Sequence, residues 1–186
     1  MDISHGRAMT GAGLPASVIH VVDTGITVAA TVVAVGALVM LFLSLGAEVV
    51  VRYLTTQGLG WPSEMPNILF PWLVMGGIVL AAQHGAHISV TLVLGWLGRS
   101  AARMMLLGMQ IVVAATFFYL AWIGMAVIEI TGTEVYPVTG ISARWAYLSL
   151  IVGFAGVGLT AVTTFARLLV TEDPLSVRAH VPEEEL

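Results

Sequence analysis

The sequence contains no cysteine and no lysine, and only 10% of its 186 residues are charged. Without cysteine there is no disulfide, thiolate-held metal, iron–sulfur cluster or catalytic thiol. The scarcity of charge excludes more. An ordinary soluble domain carries about a quarter charged residues, whereas this chain is 58% hydrophobic with a mean hydropathy of +0.96 and could not keep its surface wet. The net charge of -4 sits mainly in the tail, at Glu172, Asp173 and Glu183 to Glu185, and no basic stripe speaks for a nucleic-acid partner.

What is present is length without charge. Four uncharged blocks are bounded by Asp23 and Glu48, Glu64 and Arg99, Arg103 and Glu129, and Arg144 and Arg167. A bilayer core of about 30 Å imposes this pattern on helices of about 20 residues. The second block is too long for one span and breaks at Gln83 to His87. The expected fold is an all-α integral membrane protein whose four transmembrane helices cover roughly 24–53, 65–83, 104–128 and 145–168. Residues 1–23 form an N-terminal segment and 170–186 an acidic tail expected to be disordered. Arg7 ahead of the Ile26 to Leu45 run resembles a signal-peptide start, but the run is long and no small-x-small site follows, so a retained helix is expected.

Between spans two and three, Ile88, Leu92, Val93, Trp96 and Leu97 share one side of a helix too short to cross. An amphipathic interfacial helix over 87–98 fits, with Trp96 at the headgroups and Arg99 and Arg103 among the phosphates. Orientation rests on arginine alone. Arg7, Arg99, Arg103, Arg167 and Arg178 share a side and Arg52 and Arg144 lie opposite, which places both termini in the cytoplasm. At the start of span two, Pro62 suits a first turn, Ser63 can cap, and Glu64 suits the positive end of the helix dipole. Pro71 lies deeper and is expected to kink the helix. Arg52 and Glu64 have opposite signs on one side and could pair. Small residues recur at Gly77, Ala81 and Gly85 and at Gly156, Thr160 and Thr164, ridges that let helices approach closely.

The span centres hold no charged residue, whereas a protein that moves ions or acids by itself usually shows such groups inside the bilayer. Haem ligation needs facing histidines within the spans; His84 and His87 lie just past span two and have no further metal ligand beside them. Ser44, Thr116 and Ser149 are hydroxyls without a base at their depth. No cofactor, metal or catalytic residue is expected, and no enzymatic activity. A self-contained four-span channel or exporter stands as the alternative to a helper subunit.

The ordered landmarks Arg52 and Tyr53, Trp61 and Glu64, Trp72, Gly76 and Gly77, the stretch Gly85 to Val90 with His87, and Pro137, Gly140, Ile141, Trp145, Ala146 and Tyr147 carry a family likeness. On a four-span pattern they resemble the small membrane subunit of tripartite ATP-independent periplasmic (TRAP) transporters, the DctQ type. The resemblance implies a bacterial inner-membrane subunit paired with a large multi-span subunit that carries the sodium-coupled site. A periplasmic binding protein would deliver the substrate, commonly a carboxylate. The small chain would be a scaffold, with Arg52, Trp61 and Glu64 on its outer side serving bundle stability or meeting the binding protein, and His87 and the Trp96 segment bracing its inner side.

Overall fold

The computed structural model describes residues 13–55, 58–84 and 99–170. Among the described residues, four helices run up and down in succession: α1 (Gly13–Thr55), α2 (Met65–His84), α3 (Arg99–Thr131) and α4 (Arg144–Val170). Each contains a stretch long and apolar enough to cross a membrane. The interfacial helix expected over 87–98, with His87 and Trp96, lies outside the described residues, as do residues 1–12 and the tail from 171. One end of the bundle carries the 58–64 and 132–143 connections and is termed the loop end. The other, where α1 and α3 begin and α2 and α4 finish, is the terminal end.

The helices differ in length more than hydropathy suggests. α1 starts at Gly13, ten residues ahead of Asp23. Its 43 residues reach about 64 Å at about 1.5 Å per residue, twice the span of the 20-residue α2. α2 continues through Pro71. Before α2, Gly60 adopts a positive φ of 76°, which a side chain would resist, and turns the chain into a single 3-10 turn at Trp61–Ser63. Ser63 does not cap α2; its hydroxyl donates to the Gly60 carbonyl at 2.5 Å. Glu64 stands at the cap position, its carbonyl accepting from Asn67 N–H at 3.1 Å.

α2 packs between α1 and α4, and α3 packs chiefly on α4, with Val113 and Phe117 reaching the core cluster of Ala30, Val79 and Val157. Buried residues follow the helical repeat: Ala30, Ala34, Ala37 and Leu41 on α1, Ile68, Met75 and Val79 on α2, and Val157, Ala161 and Leu168 on α4. Most are small. Helices surrounded by lipid gain nothing from hiding apolar surface, so close van der Waals approach has to hold them together. Gly76 supplies that approach to α1, since a Cβ there would lie 3.0 Å from Ala34 Cβ and 3.1 Å from the Ala30 carbonyl. Gly153 does the same toward α2, with no room for a Cβ beside Met75.

The two sequence ridges part company here. Thr160 and Thr164 are buried and Gly156 abuts Val79, so the α4 ridge faces inward. Gly77 and Ala81 are exposed and nothing lies within 4 Å of a Cβ placed on Gly77, so the described part of the α2 ridge faces outward. Phe117 of α3 meets Phe154 of α4 with ring centroids 5.8 Å apart and tilted by 58°, a favourable aromatic geometry.

Candidate functional site at the two ends of the bundle

The polar side chains gather at the ends of the bundle, where they tie helices and connections to one another. At the loop end, Glu64 is 7% exposed. Its Oε1 accepts from Val138 N–H at 2.9 Å, and its Oε2 accepts from Thr139 N–H at 2.9 Å and from the Thr139 hydroxyl at 2.7 Å. One carboxylate thus pins the α3–α4 connection to the start of α2. That connection is shaped by a Val135–Ser142 bridge and by Gly140, whose φ of 68° closes the turn. Ser142 donates its hydroxyl to the Gly132 carbonyl at 2.6 Å and accepts from Arg144 N–H at 3.2 Å. Glu48 Oε2 accepts from Leu59 N–H at 3.0 Å, fastening the α1–α2 connection. Trp72 Nε1 donates to the Trp145 carbonyl at 3.0 Å, joining α2 to the first turn of α4.

Arg52 does not pair with Glu64. It is exposed at the end of α1, and no hydrogen bond or ion pair joins it to the described residues. Tyr53, Trp61 and Trp145 are also exposed at this end, and Tyr147 is half-buried. The outcome expected for substitutions is therefore split. Glu64→Ala leaves two backbone N–H groups and a hydroxyl unanswered and lowers the thermal midpoint of the purified bundle, and Glu64→Gln lowers it less. Arg52→Ala leaves the midpoint unchanged; equal losses for Arg52 and Glu64 would contradict the geometry.

The terminal end is fastened by a cluster that inspection of the chain does not single out. Asp23 is 6% exposed inside α1. Its Oδ2 lies 2.5 Å from Arg167 Nη2, and its Oδ1 accepts from the Thr163 hydroxyl at 2.6 Å. Gln83 of α2 donates to the Thr160 hydroxyl at 2.9 Å. Arg103 of α3 donates to the Leu169 carbonyl at 2.6 Å, where a cation also complements the negative end of the α4 dipole. Arg99 opens α3. From Arg144 to Arg167 is about 34 Å along α4 at about 1.5 Å per residue, so the two fastenings bracket a hydrocarbon layer of about 30 Å.

Hydroxyls between the ends are absorbed locally. Ser44 donates to the Met40 carbonyl at 2.7 Å and Ser149 to the Ala146 carbonyl at 2.6 Å. Among the described residues no group of three or more His, Asp or Glu could hold a metal ion. These groups hold helices and connections in place.

Two kinds of comparison agree with this architecture. Residues 41–171 match the family described as tripartite ATP-independent periplasmic transporters, DctQ component. An uncharacterized protein of Sinorhizobium fredii, y4mM, is 33% identical over 135 residues, 72% of this chain and 25% of that one. A Haemophilus influenzae protein named "Putative TRAP transporter small permease protein" is 27% identical over 116 residues, 62% of this chain and 70% of that one. This chain thus spans a quarter of the first relative and most of the second. With the family match extending from the second half of α1 through the whole of α4, the chain belongs to the DctQ component family of the tripartite ATP-independent periplasmic transporters.

Proposed function

We propose that this chain scaffolds a large multi-span transport subunit in the bacterial inner membrane, for sodium-driven uptake of organic acids delivered by a periplasmic binding protein. The observation that carries the reading is the empty middle of the bundle. No charged residue lies between Asp23 and Glu48, between Arg103 and Glu129, or between Arg144 and Arg167, while a chain that moves a charged solute by itself needs such groups at depth. The fastenings at both ends suit a stiff stationary body. Arg103 and Arg167 at the terminal end, with Arg7, Arg99 and Arg178 in the sequence, outnumber Arg52 and Arg144 at the loop end, a bias that supports a cytoplasmic terminal end and a periplasmic loop end.

The test is reconstitution of the large subunit with its binding protein in proteoliposomes, with and without this chain, under an inward sodium gradient. Organic-acid uptake is expected with the chain present and lost without it. Undiminished uptake by the large subunit alone would overturn the scaffold role. Uptake that persists when choline replaces sodium would overturn the coupling.

A further inference from the structure

α3 is the least covered of the four helices, packing chiefly against α4. Its opposite face carries Gly108, Val112, Ala115, Tyr119, Trp122 and Ala126, all exposed and spaced at helical intervals. Tyr119 is 64% and Trp122 71% exposed. Neither the Tyr119 hydroxyl nor Trp122 Nε1 has a hydrogen bond to the described residues.

Depth makes this unusual. Tyr119 is about 24 Å along the axis from Arg103 and about 18 Å from Thr131, at about 1.5 Å per residue, which puts it near the middle of the hydrocarbon layer. Trp122 lies one turn further on, still short of the headgroups. The other described tryptophans behave differently: Trp72 is bonded to a carbonyl, and Trp61 and Trp145 stand at the loop end, within reach of headgroups and water. The outward hydroxyl of Thr31 on α1 is bonded to its own helix, donating to the Thr27 carbonyl at 2.7 Å. A tyrosine or tryptophan cannot reach back in this way. Acyl chains offer no acceptor, and leaving a polar group unanswered in hydrocarbon is unfavourable.

From this we infer that the Gly108 to Ala126 face of α3 docks against a membrane-spanning helix of the large subunit, which presents acceptors, backbone carbonyl or hydroxyl oxygens, to Tyr119 and Trp122. Gly108 and Ala115, seven residues apart, let the partner backbone come close on the same side. That further polypeptide accompanies this domain is consistent with y4mM, in which the matching segment is only 25% of the chain. The inference rests on the proposed scaffold role and adds the face and its chemistry.

The experiment uses the full chain co-expressed with the large subunit, with a photo-crosslinking amino acid at Ala115 or, for comparison, at Val32 on α1. A crosslink to the large subunit from Ala115 and none from Val32 is expected. The double variant Tyr119→Phe, Trp122→Phe keeps the apolar rings and removes most of the donor capacity. It is expected to lower the large subunit recovered with the chain by about threefold to tenfold, the loss of one or two interhelical hydrogen bonds. If the wild-type chain recovers the large subunit while Ala115 gives no crosslink, or crosslinks only a second copy of this chain, the face is wrong and the scaffold role stands. If the wild-type chain recovers no large subunit, both fall.

Discussion

Gly153→Leu is expected to lower the stability of the bundle by about 3 kcal/mol, at the upper end of what overpacking usually costs. A Cβ at 153 collides with the Met75 side chain, and Met75 Cβ itself lies at 2.7 Å, so the obstruction is not confined to a flexible tip. The wedge would push α4 from α2 just where the neighbouring Gly76 holds α2 against α1. Met75→Ala should therefore fail to rescue the variant. Gly77→Leu, one residue along from Gly76 but facing outward into open space, should stay within about 0.5 kcal/mol of the parent. Unfolding the purified chain by sodium dodecyl sulfate in mixed micelles, followed by tryptophan fluorescence, separates the two. Equal stability of the two leucine variants would refute the packing described for α2.

The second large effect is expected at the other fastening. Arg167→Ala leaves the Asp23 carboxylate at a site only 6% exposed, with the Thr163 hydroxyl still donating to it. Removing one partner of a fully buried pair costs about 3–5 kcal/mol. The Arg167 side chain is 34% exposed and solvent screens it, so about 2 kcal/mol is the appropriate figure. Asp23→Asn should cost less, because the amide oxygen can still accept from Thr163. The combined variant Asp23→Ala, Arg167→Ala should lose at least about 1 kcal/mol less than the sum of its singles, measured in the same titration. Strict additivity would mean that the contact carries no coupling.

The spans were legible in the sequence because hydropathy and charge placement are properties of contiguous residues. Helix ends were less so: Asp23 marks where the uncharged block begins, yet α1 runs on through it from Gly13. A carboxylate inside a helix is tolerable because Arg167 and Thr163 meet it, and those partners lie more than a hundred residues away. Glu64 was legible as a residue that matters at the start of α2, but its partners were not. Its acceptors are met mainly by backbone N–H groups of Val138 and Thr139, which have no signature in residue type. The small-residue ridges show why spacing alone falls short. Gly76 and Gly77 are indistinguishable by composition, and only the direction in which α2 is rotated makes one a contact and the other surface.

The shortness of α2 has a consequence for the lipid. Its 20 residues are tied at both ends, by Glu64 to the α3–α4 connection and by Gln83 to Thr160, so it cannot tilt independently of α4. A protein held in this way answers a mismatch in acyl-chain length poorly, and the softer partner is the bilayer, which must thin or thicken around it. The bundle would then impress its own thickness on the surrounding annulus of lipid, and any helix gathered beside it would inherit that local depth.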